Sequence, residues 1–252
     1  MREIFYSLII VFSFFTFLPL PMVEWTERRK KYLLVLMPLA GLFIGAGGYL
    51  LFRLFAFSTL SVSGKAILLT LSYLVLTGGL HMDGLMDMAD AYFSRAGREK
   101  RLEIMKDSRT GAFGVMAFGA VILLKIACFT ELIGKTMGFP VLLLFIPLLS
   151  RIVQAFILCS FPYAKADGLA VTFKAGAGKK TVWILAVDLA FTVGAIYGLT
   201  GGTGLYLPGG LLLFSFFYYF WVRKNFGGIT GDIAGGFVEL AELLMLALCV
   251  FI

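Results

Sequence analysis

The chain is short of the residues that usually mark a soluble catalyst: 252 residues hold three cysteines and one histidine, and 15 % are charged. Cys128, Cys159 and Cys249 share no metal-ligand or redox spacing and fall within or at the ends of apolar runs, which argues against a thiolate metal site and makes them small buried apolar residues. No serine or cysteine has a base at recognisable spacing, so a covalent enzyme intermediate is not expected. The 22 basic and 15 acidic residues leave a net charge of +7. No basic helix or aromatic platform accompanies that charge, which argues against nucleic acid as a partner. An internal repeat of the kind many transporters carry is also missing.

What the chain has in abundance is apolar length. Sixty per cent of it is hydrophobic and its mean hydropathy is +0.94, against about 45–50 % apolar content in soluble domains. It must therefore be solvated mainly by lipid. About 20 apolar residues cross about 30 Å of hydrocarbon, so the chain has room for roughly six to eight crossings and none for a separate soluble domain.

The first apolar run, Ile4 to Leu18, resembles a signal peptide but leads into Leu18-Pro19-Leu20-Pro21 without a small-x-small cleavage site. We read it as a retained membrane segment that either crosses or re-enters. Seven more runs follow, at Leu33–Leu51, Ala66–Leu80, Gly111–Ile133, Phe139–Phe161, Val182–Leu199, Leu205–Val222 and Phe237–Ile252. The expectation is an all-α, polytopic transmembrane helical bundle of seven to eight membrane segments, with residues 1–252 as one integral membrane domain. Lys and Arg concentrate around 24–32, 81–109, 163–180 and 223–236 and are scarce around 53–64, 134–138 and 200–208. This alternation places the rich loops on the cytoplasmic side.

Ionisable residues inside the runs cost a few kcal/mol each unless they face protein, pair or snorkel, so Lys125, Glu131, Arg151 and Asp188 need an explanation. Arg151 stands near the middle of its run, next to Ser150 and one helical turn from Gln154, so that helix carries an inward polar stripe. Either an interhelical hydrogen-bonding cluster or substrate binding accounts for it. A structural role is expected for Lys125, Glu131 and Asp188.

The segment that carries chemistry is Gly78 to Asp90, GGLHMDGLMDMAD. On a helix Asp83, Asp87 and Asp90 stand at i, i+4 and i+7, within about 60° of one another. Three carboxylates on one stripe repel unless a cation sits among them, and a hard divalent ion such as Mg2+ meets that need. His81 is two residues before Asp83 and on a regular helix points elsewhere. It joins the site only if Gly79 or Gly84 breaks the helix, and there it could serve as a general base. Further on, Lys106, Asp107, Ser108 and Arg109 form a compact cluster before the next run, with Gly111 and Gly114 allowing close backbone approach. Lys106 and Arg109 suit a diphosphate, Ser108 can add a hydrogen bond, and Asp107 can serve as a fourth metal ligand. Two loops on the same side each pair an acid with glycine: PYAKADGL, with Lys165 as a candidate substrate contact, and TGDIAGG, with Asp232 as a candidate metal ligand.

With GGLHMDGLMDMAD, EIMKDSRTGAFG, PYAKADGLA, TGDIAGG and the FFTFLPLP start in this order, the whole chain resembles the cobalamin synthase family, the adenosylcobinamide-GDP ribazoletransferases. The resemblance implies a multi-pass protein of the cell inner membrane with cytoplasmic active-site loops. It implies Mg2+ as cofactor, and adenosylcobinamide-GDP and α-ribazole or α-ribazole 5′-phosphate as substrates, with GMP released. It also leaves open a homo-oligomer or a complex with other enzymes of the pathway. His81, Asp83, Asp87 and Asp90 are then the catalytic group, and Lys106, Ser108, Arg109, Lys165 and Arg151 contact substrate. Asp83, Asp87, Asp90, Asp107 and Asp232 are the metal ligands. The ribose 5′-hydroxyl would attack the phosphorus on the corrin side after giving its proton to His81 or an aspartate. The chain departs from the family pattern at Phe17, where arginine is expected, and at Ala91 and Ala170, where glycine is. Two rival classes are a lipid-head-group phosphotransferase, whose DG–AR signature is absent, and a cation-coupled transporter using Arg151 and Asp188.

Overall fold

The computed structural model describes residues 1–134 and 139–251. These residues form α1 (Arg2–Phe15), α2 (Glu27–Leu54), α3 (Val62–Leu76), α4 (Leu80–Phe93), α5 (Arg98–Ile104), α6 (Ala112–Gly134), α7 (Phe139–Ser160), α8 (Leu169–Lys174), α9 (Lys179–Thr200), α10 (Tyr206–Phe226) and α11 (Gly231–Phe251). Among the described residues there is no strand, only an isolated bridge between Tyr163 and Ile229. Beyond Gly134, the charge-poor connection expected around 134–138 lies outside the described residues.

Five helical stretches are long and apolar enough to cross a membrane, and a sixth is added if α3 and α4, bent by 91° at their junction, count as one span. One of the five, residues 179–226, contains both α9 and α10 joined by a 3-10 turn at Gly201–Leu205. The expected total of seven to eight segments therefore depends on how the bent pair and this hairpin are counted. At 14 residues, α1 rises only about 21 Å at 1.5 Å per residue, short of the hydrocarbon thickness.

The four basic stretches meet at one end of the bundle. Lys165 Nζ donates to the carbonyl of Leu102 at 2.9 Å, and Arg101 donates to the Asn225 side chain at 2.9 Å and its carbonyl at 3.2 Å. Arg98 donates to the carbonyl of Arg223 at 3.2 Å, and the Ile229 amide to that of Pro162 at 2.7 Å. Gly176 lies against the backbone of Lys30 and Lys31 at the start of α2. Both the start of α9 and the end of α10 are thus at this end, so the pair runs out and back.

Small residues set the interior packing, as expected where lipid offers no hydrophobic drive between helices. Gly41 and Gly45 of α2 lie on the backbone of α7 at Pro147–Leu148 and Leu143–Leu144, which makes these helices antiparallel. Gly84 of α4 lies on the backbone of Asp232, and Gly235 and Gly236 of α11 face His81, Leu85 and Met88. Helices α7 and α11 are mostly enclosed by protein, whereas the 179–226 hairpin turns most of its surface outward, toward lipid.

Candidate active site

The site begins at the break between α3 and α4. Gly78 and Gly79 have φ of +62° and +74°, a left-handed pair that costs a residue with a Cβ about 1–2 kcal/mol each. They end the apolar α3 and re-aim the chain, so that α4 runs across the basic end of the bundle against α11. The break thus comes before His81, and Gly84 lies inside a continuous α4 as a packing contact. The periodicity of the acids holds: Asp83 is exposed, Asp87 and Asp90 are half-buried, and Met82, Leu85 and Met88 are buried on the other faces.

Asp87 lies within electrostatic reach of Asp83, Asp90 and Asp232. Asp232 belongs to the first turn of α11, where the Ile233 amide donates to Thr230 Oγ1 at 3.2 Å. The segment expected as a TGDIAGG loop is therefore helical from Gly231. Its glycines serve close approach to α4 rather than a turn. Asp90 faces the start of α6, where its two carboxylate oxygens accept the Gly111 and Gly114 amides at 2.7 and 2.9 Å. It satisfies two of the amides that a helix start leaves without partners and ties α4 to α6.

The cationic side adjoins the acids through Lys165. Burial and the charge of Lys106 hold its ammonium below the ordinary lysine range, with Asp232 and Asp167 opposing. Lys106, Asp107, Ser108 and Arg109 are exposed. Asp107, expected as a fourth metal ligand, is paired with Arg109. Its oxygens accept the Arg109 Nε and Nη2 groups at 3.0 and 2.7 Å and the Arg109 amide at 3.1 Å. The Arg109 bonds hold its carboxyl down at about 2.

His81 points away from this surface and is 2 % exposed. Its ring stacks on Phe15 with centroids 5.8 Å apart. Arg151 Nη2 donates to its Nδ1 at 3.2 Å. Arg151, expected as a substrate contact, is 0 % exposed and turned into the protein interior. It donates to Ser150 Oγ at 2.9 Å and is ion-paired with Glu242. Glu242 and Lys125 approach to 3.7 Å, and Lys125 pairs with Glu239 at 2.6 Å. The sequence reading singled out Lys125 and Arg151 and missed Glu239 and Glu242, which stand at i and i+3 on α11 and match those two cations in number. Of the other intramembrane charges, Glu131 is exposed and Asp188 is half-buried on α9.

A cavity of about 80 Å3 opens between α1, α4, α7, α8 and α11. Its polar end is His81, Asp83, Gln154 and Asp232, and Phe14, Phe15, Leu158, Leu169, Ala170 and Phe173 form its apolar wall. A wider recess of about 590 Å3 adjoins it through Phe14, Leu80 and Asp83. Asp83 is thus the carboxylate common to both. Of the family departures, Ala170 lines the cavity, Ala91 is buried, and Phe17 is exposed at the end of α1.

Among the described residues, no three His, Cys, Asp or Glu side chains converge as a ready-made metal site. The candidate donors are the neighbouring carboxylates of Asp83, Asp87 and Asp232, while Asp90 accepts two amides and Asp107 is paired with Arg109. Mg2+ fits such a set, because it takes one or two carboxylates and completes its shell with water and substrate phosphate.

Fold and site together define a polytopic α-helical membrane protein with an acid-and-lysine cleft at one end of the bundle. The chain belongs to the cobalamin-5-phosphate synthase family, which it matches over residues 7–250. An adenosylcobinamide-GDP ribazoletransferase of Clostridium perfringens (strain ATCC 13124) is 38 % identical over 251 residues, covering 95 % of this chain and 96 % of that protein. Proteins of the same name from Clostridium botulinum (strain Alaska E43) and Geobacillus thermodenitrificans are 31 % and 34 % identical. They cover 100 % and 97 % of this chain, and 100 % and 95 % of their own lengths. No solved structure matches the chain.

Proposed function

We propose that this protein joins adenosylcobinamide-GDP to α-ribazole or α-ribazole 5′-phosphate and releases GMP, the step that assembles the nucleotide loop of cobalamin. The observation that carries the reading beyond family membership is Asp232, which lines an open cavity together with Asp83 and lies within electrostatic reach of both Asp83 and Lys165. A diphosphate needs cations beside it, and an alcohol acceptor needs a carboxylate within reach.

Lys165, Lys106 and Arg109 would neutralise the diphosphate, Arg109 through its planar fork once it exchanges Asp107 for phosphate. Asp83, Asp87 and Asp232 would hold Mg2+, which supplies charge neutralisation on the transferring phosphoryl group. A ribose hydroxyl attacks the phosphorus on the corrin side. The new P–O bond forms as the bond to the GMP oxygen breaks, and the proton passes to a cavity carboxylate, Asp83 or Asp232. The 5′-hydroxyl expected from the sequence cannot be that nucleophile in general: an acceptor already phosphorylated at O5′ has none to offer. Another ribose hydroxyl must attack. The basic end of the bundle, where all these groups lie, would face the cytoplasm of the cell membrane.

The direct test is GMP release from adenosylcobinamide-GDP by detergent-purified protein with α-ribazole, with and without a Mg2+ chelator. The reading requires acceptor-dependent GMP formation. GMP at the level of the no-acceptor control would overturn it.

A further inference from the structure

The aromatic-walled cavity beneath α8 has a polar end whose hydrogen-bonding capacity is unused. Gln154 is 3 % exposed, and its Nε2 donates to the carbonyl of Ala234 at 3.0 Å. That bond fixes the amide orientation and leaves Oε1 buried with no partner among the described residues. A buried acceptor left empty is costly, so it is expected to meet a donor in the working state. His81 supplies the complementary group. The guanidinium of Arg151 can only donate, so Nδ1 accepts and the ring proton sits on Nε2. The Gln154 amide nitrogen 3.5 Å from Nε2 is a second donor and gives that proton no acceptor. One acceptor and one donor, both buried, therefore line one end of the cavity.

The rest of the lining is apolar and mostly aromatic. Phe173 of α8 packs on Phe14 and Phe15 with centroids 5.3 and 5.4 Å apart, and Trp25 backs it at 5.3 Å. Aromatic faces of this kind take another flat ring.

We infer that this cavity is the acceptor's binding site: a flat heterocycle lies against Phe14, Phe15 and Phe173, and hydroxyls of its attached sugar bond Gln154 Oε1 and His81 Nε2–H beside Asp83. The inference rests on the proposed transferase reading and adds the place and chemistry of acceptor recognition. It assigns His81 a hydrogen-bond donor role rather than that of general base, with Arg151 as the positioning residue that fixes its tautomer. The diphosphate donor is left to the cationic side at Lys106, Arg109 and Lys165, outside the cavity.

The experiment is equilibrium binding of α-ribazole to the full chain in detergent or nanodiscs, without donor substrate. Ala170→Phe, which fills the cavity from α8, should weaken α-ribazole at least tenfold and leave adenosylcobinamide-GDP affinity within twofold. Leu169→Trp, at a more exposed position, serves if that variant does not fold. Gln154→Leu should weaken α-ribazole by about tenfold, the worth of one buried hydrogen bond. His81 is the chain's one histidine, so histidine-specific 15N labelling reports its ring alone. The parent should show a protonated Nε2 and a bare Nδ1, with the Nε2 signal moving on α-ribazole and not on GDP. Unchanged α-ribazole affinity in both filled-cavity variants, or a still Nε2 signal at saturation, overturns the inference while acceptor-dependent GMP release by the parent keeps the transferase reading. Loss of GMP release in the parent is the separate failure of that reading.

Discussion

Arg151 on α7 and Glu242 on α11, 91 residues apart in the chain, form an ion pair sealed inside the bundle. Lys125 and Glu239 extend it to two cations and two anions. Each charge alone would cost several kcal/mol in this setting, and together they cancel. Through the Arg151 bond to His81, the same group anchors the floor of the candidate site.

Removing one member should therefore cost more than an ordinary core change. Glu242→Gln leaves Arg151 facing a neutral amide, and we expect a loss of about 3–5 kcal/mol in stability. Asp188→Asn, half-buried on α9 and without an ion pair among the described residues, should stay within about 0.5 kcal/mol of the parent. Denaturant titration in detergent compares the two. Equal stability of Glu242→Gln and the parent would show that the pair holds nothing together.

The acid stripe separates into two roles that share a periodicity. Asp83→Asn and Asp87→Asn remove charge from free carboxylates, so GMP release should fall by two orders of magnitude or more, with folding intact or improved as mutual repulsion is relieved. Asp90→Ala instead strips the start of α6 of its acceptor and should cost about 1–2 kcal/mol of stability. Thermal unfolding beside turnover distinguishes them. Asp90→Ala with parental stability would refute the capping role.

Lys165 gives the site a pH dependence whose direction is set by burial. Its ammonium is held below the ordinary lysine value of 10.5, so on raising the pH it discharges before a free lysine does. Affinity for adenosylcobinamide-GDP should fall on the alkaline side ahead of that value. Lys165→Arg keeps its charge throughout, and the fall should move to higher pH. Binding measured from neutral to alkaline pH in both proteins checks the shift.

Much of this was legible from periodicity and charge. The stripe of Asp83, Asp87 and Asp90 needed only the 3.6-residue repeat, and the meeting of the basic stretches at one end followed from their alternation along the chain. The partners of Arg151 and Lys125 were not legible, because pairing across 91 and 114 residues leaves no local trace. Glu239 and Glu242 sat unremarked in an apolar run. The start of α11 was hidden for a different reason: glycine lowers helix propensity, so TGDIAGG reads as a loop, yet those glycines let α11 touch α4. Helix packing overrode propensity there, at the place where Asp232 comes beside Asp83. Asp90 shows the converse limit. Its position on the stripe was right, but the amides of Gly111 and Gly114 that occupy it could not be seen without the fold.

The contact between α4 and α11 sets the spacing of Asp83 and Asp232. A methyl group at Gly84 would overlap the backbone of Asp232, and since backbone cannot rotate aside, the two helices must separate. Overpacking of this kind costs about 1–3 kcal/mol. Asp83 is next to Gly84, so the separation also moves the two cavity carboxylates apart. Gly84→Ala should therefore lower turnover by tenfold or more although every acid and base is still present, because small misplacements of reacting groups are costly. Gly119→Ala on α6, where an added methyl meets open space, should keep full activity and gain about 0.5–1 kcal/mol from the better helix former. Turnover and unfolding of the two variants are measured side by side. Full activity in Gly84→Ala would mean that the Asp83–Asp232 spacing is not what the reaction depends on.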